Sequence, residues 1–156
     1  MVVHYYGITK HPETNNFMMV IHYNYDACEV CIQPNTFYSW CQSCNAQHFQ
    51  QNFKNWTSKN CDIDECIQNS QLKAKCCEEV LEWIEYDKFE NVEYLAKGGF
   101  GITYKAIWNE GYVISWDSEN DQWKRIKKNY PIVLKCLNNS QDITGEFLKE
   151  VRYGFL

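Results

Sequence analysis

The order of apolar and polar residues divides the chain into three blocks. The first block, residues 1–25, contains two stretches rich in Val, Ile, Tyr and Phe, "VVHYYGIT" and "NNFMMVIHYNY". The segment "KHPETNN" between them has the proline and asparagines that favour turns. We expect this block to form a β-hairpin.

The second block begins with paired cysteines and continues with helical spacing. Phe49, Phe53 and Trp56 recur at the interval of one helix face, and Asp62 stands where it could cap a following helix. The segment "EEVLEWIEY" places Val80, Leu81 and Ile84 on one side of a third helix. We expect a metal-binding segment with a helix at 26–60, followed by a helical connector at 61–86.

The third block, residues 87–156, returns to strand-like patterns. Two apolar runs flank a glycine cluster, and "YVISWD" and "QWKRI" flank the polar "SEND", which predicts an extra hairpin. The short apolar run "PIVLKCL" follows as a strand, and "DITGEFLKEVRY" has helical spacing. Strands and helices are segregated along the chain, so the predicted fold class is α+β.

Composition and charge restrict the possible partners. Apolar residues make up 45% of the chain, enough for a packed core, and the net charge of −5 gives no general attraction to nucleic acid or anionic membranes. The aromatic residues near the cysteines could stack on bases, but Lys54 and Lys59 add little positive charge. No window approaches 18 apolar residues, and we identify no signal peptide. We therefore expect a cytoplasmic or nuclear protein without a membrane partner.

Nine cysteines are many for a reducing compartment, and their odd number argues against a complete disulfide framework. Two C-x-x-C pairs are separated by nine residues, a spacing that lets two turns meet around one metal. Four thiolates in a tetrahedron suit structural Zn²⁺. The predicted ligands are Cys28, Cys31, Cys41 and Cys44.

Three alternatives remain open for this cluster. The thiols could be buried or redox-active without metal, or His48 could replace one cysteine as a ligand.

In a metal-binding turn, the residue after the second cysteine often adopts a left-handed conformation. Asn45 suits that position after the second pair, whereas Ile32 is a poorer fit after the first pair. The other five cysteines lack paired spacing and are expected in the core or on the surface.

The glycine cluster "LAKGGFGIT" could form a loop over phosphates, because a backbone without side chains can approach phosphate oxygens. The alternative is a tight hairpin that uses glycine for positive φ. Two later features bear on this choice: the strand "VLKCL" contains Lys135, and the predicted helix "EFLKEV" contains Glu150, with Glu146 one turn earlier.

Glycine loop, strand lysine and helix glutamate in this order resemble the N-terminal lobe of a eukaryotic protein kinase of the tyrosine-kinase-like serine/threonine type. The resemblance covers residues 86–153. It implies an antiparallel sheet with one αC-type helix that binds ATP, with Lys135 contacting phosphates while paired to Glu150. The loop positions it implies are Ala96, Gly98, Phe100, Gly101 and Thr103.

The sequence departs from the kinase pattern in several places. Ala96 replaces the first glycine and Thr103 the usual valine, and the segment between Gly101 and Lys135 is longer than usual. The catalytic motifs H-R-D, D-F-G and A-P-E do not occur in these residues, so nothing supplies the base or holds magnesium. We expect an ATP-binding chain that does not transfer phosphate alone and needs the missing lobe for Mg²⁺.

Two alternatives remain for the function. One is a non-catalytic zinc-ribbon and helical interaction module, whose partner could be another kinase or signalling protein. The other is a truncated product without an independent role.

The first block is also similar to kinase sequence, namely the fourth and fifth strands and the hinge, which normally follow the helix. Ile21 would then stand at the gatekeeper position and His22 to Asn24 in the hinge. We expect either a permuted lobe, in which this hairpin pairs beside "PIVLKCL", or a relic of a second kinase fragment. An unrelated hairpin is the alternative.

Overall fold

The computed structural model describes residues 5–21, 27–99, 101–126 and 128–138. These residues form an α+β arrangement of antiparallel sheets and two helices. The strands and helices in chain order are β1 (Tyr5–Lys10), β2 (Phe17–Ile21), α1 (Gln42–Asn52), α2 (Cys61–Lys73), β3 (Phe89–Gly98), β4 (Gly101–Trp108), β5 (Val113–Asp117), β6 (Gln122–Arg125) and β7 (Tyr130–Leu137). Short 3₁₀ turns lie at Phe53–Asn55, Cys77–Glu79 and Tyr86–Lys88.

The predicted N-terminal hairpin is present as β1 and β2, which pair antiparallel in a sheet of their own. Apolar side chains are exposed on both faces, with Phe17 79% and Val20 42% exposed. Within the described residues, β7 pairs with β4 alone, so the hairpin does not add strands beside β7 as the permuted arrangement required.

Both predicted early helices are present, but the cap of the second one is not Asp62. The side-chain oxygen of Asn60 accepts hydrogen bonds from the backbone N–H groups of Asp62 and Ile63, which makes Asn60 the N-cap of α2. Asp62 lies in the first turn instead, where its charge is favourable beside the positive end of the helix.

The third predicted helix, "EEVLEWIEY", is wrong: after one 3₁₀ turn the segment continues without regular structure. Its backbone groups bond to side chains of α2, because the hydroxyl of Ser70 accepts from Leu81 N–H and donates to the Glu79 carbonyl. The amide of Gln71 donates to the Leu81 carbonyl at 2.8 Å. These non-local bonds replace those that a helix would make.

The main sheet has the order β3-β4-β7, with both pairs antiparallel. Its β3–β4 turn contains the glycine cluster. At one side of this turn a Cβ on Gly101 would lie 2.1 Å from the carbonyl oxygen of Cys136 on β7. Glycine is therefore required at Gly101 for the close approach of two strands.

The hairpin β5–β6 is present as predicted, and it packs on the cysteine segment rather than extending the main sheet. The Trp123 ring stacks on Phe49 of α1 with ring centroids 4.2 Å apart, and on Trp40 at 6.2 Å. The best buried apolar cluster lies here and consists of Trp40, Phe49, Ala74 and Val113. Residues distant in sequence thus share one core.

The predicted C-terminal helix at "DITGEFLKEVRY", with Glu146 and Glu150, lies outside the described residues, as does Phe100. In the part of the chain that the structure describes, neither helix has the length and apolar character needed to cross a bilayer.

Candidate functional site

The first cysteine pair lies in a tight turn closed by backbone hydrogen bonds. The N–H of Ile32 donates to the Cys28 carbonyl at 2.8 Å, and the N–H of Cys28 donates to the Gln33 carbonyl at 2.9 Å. Ile32 adopts a left-handed conformation with φ of 60°. Ile32 thus occupies the left-handed position after the first pair although β-branched residues rarely adopt this conformation, and the two hydrogen bonds of the turn hold it there.

The second pair is placed by a helix rather than by a second turn of the same kind. Cys41 is the N-cap of α1, and its side chain makes no capping bond. Cys44 follows in the first turn, so both sulfurs lie at the positive end of the helix, which would favour the thiolates of the metal-bound state. Asn45 is helical, with its N–H donating to the Cys41 carbonyl, and lacks the left-handed conformation predicted for it.

The four sulfur atoms all lie within 4.8 Å of one another. The sulfurs of Cys28 and Cys44 are 3.6 Å apart, and those of Cys31 and Cys41 are 3.4 Å apart. A tetrahedral metal with bonds of about 2.3 Å separates its sulfur ligands by about 3.8 Å. The arrangement fits a four-coordinate metal, so these four cysteines could hold a zinc ion, as predicted.

The thiols differ in acidity because they are packed together. Burial tends to raise the pKa of Cys28, but backbone hydrogen bonds from Cys31 and Val30 outweigh it and lower that pKa to about 7. Burial raises the pKa of Cys41 and of Cys44 above the ordinary thiol value. In the metal-free cluster, Cys28 is thus the first of these three groups to ionise, and its neighbours can donate S–H bonds to it.

His48, considered as a substitute ligand, lies outside the cluster that could hold a metal. Its ring stacks on Trp116 of β5 with centroids 3.8 Å apart, and burial there lowers the His48 pKa. A cavity of about 490 Å³ lies between the cysteine turns and this hairpin, bordered by Cys28, Cys41, Cys44, Asn45, His48 and Trp116. Sequence reasoning missed that β5 and β6 cover the metal segment; their tryptophans were the available signal.

The residues assigned to nucleotide binding lie on the main sheet. Ala96 and Gly98 end β3, Gly101 and Thr103 begin β4, and Lys135 lies on β7. The Cα partners across the three strands are Ala96 with Thr103 and Thr103 with Lys135, so the structure brings these three positions together. Phe100 and Glu150 lie outside the described residues.

No family profile, curated protein or solved structure matches this chain. The kinase resemblance therefore depends on the residues quoted above.

Proposed function

We propose that this chain is an incomplete protein-kinase-like protein, in which the β3-β4-β7 sheet binds the phosphates of ATP and the four cysteines hold a structural zinc ion. The observation that carries the nucleotide part is the alignment of Ala96, Thr103 and Lys135 across three strands beside the glycine turn.

The alignment matters because directly paired residues of antiparallel strands point to the same face of the sheet. Thr103 and Lys135 therefore share a face, two positions along from the pairing of Gly101 with Leu137. A lysine in this place can reach oxygens that lie under the turn. The spacing supports the role that the resemblance implies for Lys135.

A bound ligand explains the presence of glycine at positions 98 and 99 better than the conformation of the turn does. Among the described residues, a Cβ added to Gly98 or Gly99 would have no atom within 4 Å, whereas one on Gly101 would strike the β7 backbone. Gly111 is the only described glycine with positive φ, so the backbone conformation does not explain Gly98 or Gly99. Open space at these two positions leaves room for phosphate oxygens.

We propose that these 156 residues by themselves bind the nucleotide and do not transfer its phosphate. Phosphoryl transfer needs a residue that orients the acceptor and carboxylates that hold Mg²⁺, and the H-R-D and D-F-G motifs that supply them do not occur in the sequence. Glu150 would pair with Lys135, Phe100 would cover the phosphates, and a second lobe would have to supply the Mg²⁺ ligands. The proposed compartment is the cytoplasm or the nucleus.

The zinc ion would have a structural role, because four protein ligands leave no position for substrate. It would join the turn around Cys28 to the start of α1, which packs against Trp123 of the inserted hairpin. The metal would thereby support the docking of the inserted hairpin, which lies in the chain between β4 and β7.

Thermal unfolding with and without ATP tests the nucleotide proposal. Lys135→Met should abolish the rise in melting temperature that ATP produces. Lys105→Met is the matched control, since Lys105 lies on the same face two residues farther from the turn and pairs with Glu93 at 2.9 Å. An ATP effect that persists in Lys135→Met, or no effect in the unmodified protein, would refute the proposal.

A second proposal, a non-catalytic interaction module that binds another kinase or signalling protein, is favoured by the exposed apolar hairpin. Phe17 and Met19 are exposed on one face of β2 and Val20 on the other. In this case binding of the partner should survive Lys135→Met but weaken in Phe17→Ser. Loss of binding in Lys135→Met with retention in Phe17→Ser would favour the nucleotide proposal instead.

A further inference from the structure

Asn45 has a buried polar group that no contact within the described residues explains. The residue is 4% exposed, and in the described part of the chain its Nδ2 atom has no hydrogen-bond partner. A buried amide donor without an acceptor is unfavourable and rare in folded proteins. The group therefore calls for an acceptor that forms under the conditions in which the protein functions.

The position of Asn45 indicates what that acceptor is. It follows Cys44 directly, and its backbone N–H bonds to the carbonyl of Cys41 in the first turn of α1. Asn45 borders the same cavity as Cys28, Cys41 and Cys44. Three of the four predicted metal ligands thus line the same cavity as Asn45.

The chemistry of sulfur changes when a metal binds. A neutral thiol is a weak acceptor, whereas a metal-bound thiolate carries negative charge and accepts charge-assisted hydrogen bonds. Four thiolates around Zn²⁺ leave a net charge of about −2 in a partly buried site, because each thiolate contributes one negative charge. A nearby amide donor would offset part of that charge without adding a ligand.

We propose that the Nδ2–H of Asn45 donates a hydrogen bond to a thiolate of the zinc-bound cluster, which makes Asn45 a positioning residue that raises metal affinity. This inference rests on the zinc site of the proposed function. Asn45 contacts sulfur rather than metal, and zinc binding supplies the partner that the buried amide lacks.

The test compares Asn45→Leu, which keeps the size of the side chain but removes the donor, with the unmodified full chain. Zinc affinity, measured by competition with a chelator, should fall by about tenfold or more. The sulfur-to-metal charge-transfer band of the Co²⁺-substituted protein should shift. The melting temperature of the metal-free protein should stay the same or rise, since the unpaired donor has been removed. Asn45→Asp should weaken zinc binding further, because a carboxylate repels thiolates.

Gln71→Met is the matched control, since Gln71 is also buried, at 5% exposed, and its side-chain Oε1 also has no partner among the described residues. Gln71 lies outside the metal cluster. The substitution should therefore lower stability both with and without metal and leave the cobalt spectrum unchanged. An Asn45→Leu protein with unchanged zinc affinity and cobalt spectrum would overturn the proposal. Absence of a cobalt spectrum in the unmodified protein would overturn the metal site itself, and this proposal with it.

Discussion

The guanidinium group of Arg125 and the carboxylate of Glu82 form a two-point ion pair, with Nη2 2.6 Å from Oε2 and Nη1 3.2 Å from Oε1. The two side chains are 28% and 16% exposed. Nη1 also donates to the Gly111 carbonyl at 2.7 Å. One residue of β6 thereby joins the segment after α2 to the turn between β4 and β5.

Removing one member of this pair should lower the free energy of unfolding. Glu82→Gln leaves the Arg125 charge partly buried without its counter-ion, so we expect the free energy of unfolding to fall by about 2 kcal/mol, between the values typical of surface and buried pairs. Urea denaturation measures the change. The control is Lys88→Met, which breaks the exposed pair with Glu110 and should have little effect. An equal, small effect of both substitutions would show that the Glu82 pair does not hold these segments together.

Substitution by alanine should affect different properties at two glycines of the same turn: stability at Gly101 and ATP binding at Gly98. Gly101→Ala forces a Cβ against the Cys136 carbonyl and should lower stability by about 1–3 kcal/mol. In Gly98→Ala the new Cβ meets no atom of the described residues within 4 Å, so we expect stability to change by less than about 0.5 kcal/mol while ATP binding weakens. Thermal unfolding with and without ATP separates the two effects. Undiminished ATP binding in Gly98→Ala would argue against a phosphate site at the turn.

The inserted hairpin should depend on Trp123. Trp123→Ala removes the stacking on Phe49 and Trp40, and we expect a loss of about 2–4 kcal/mol. The matched control is Tyr94→Ala, because Tyr94 is also aromatic but is 63% exposed and should contribute about 1 kcal/mol or less. Guanidinium denaturation checks both. Comparable losses would mean that the hairpin does not dock on α1 as described.

Zinc affinity should depend steeply on pH. Burial raises the pKa values of Cys41 and Cys44, so both are thiols near neutral pH and must lose protons when metal binds. Cys28 has a pKa of about 7, so below that pH zinc must displace a further proton from this thiol. The apparent Kd should therefore rise at least about 100-fold for each pH unit of acidification below 7, since two or more protons compete with zinc. Chelator competition at several pH values measures this slope, and a slope below tenfold per unit would contradict the predicted protonation.

Local patterns predicted the elements whose contacts are local. The strand-favouring residues on both sides of "KHPETNN" led to the hairpin of β1 and β2, and the spacing of the two C-x-x-C pairs led to the four-sulfur cluster. Both depend on residues that are close in the sequence. The cap of α2 was missed by two residues. Asn60 and Asp62 are both good caps, and only the observed bonds identify which one begins the helix.

Long-range contacts account for most of the failures. "EEVLEWIEY" has helical spacing, yet Ser70 and Gln71 take its backbone bonds and Arg125 takes the carboxylate of Glu82. The docking of Trp123 on Phe49 joins positions far apart in the chain, and no periodicity in either segment indicates it.

The most direct test of nucleotide binding is an ATP titration of isotope-labelled protein, followed by NMR of the backbone amides. We predict chemical-shift changes at Gly98, Gly99, Gly101 and Lys135, with little change at Cys28 and Cys41, and we expect Lys135→Met to remove them. Shifts confined to the cysteine segment, or no shifts at concentrations of ATP found in cells, would contradict the account.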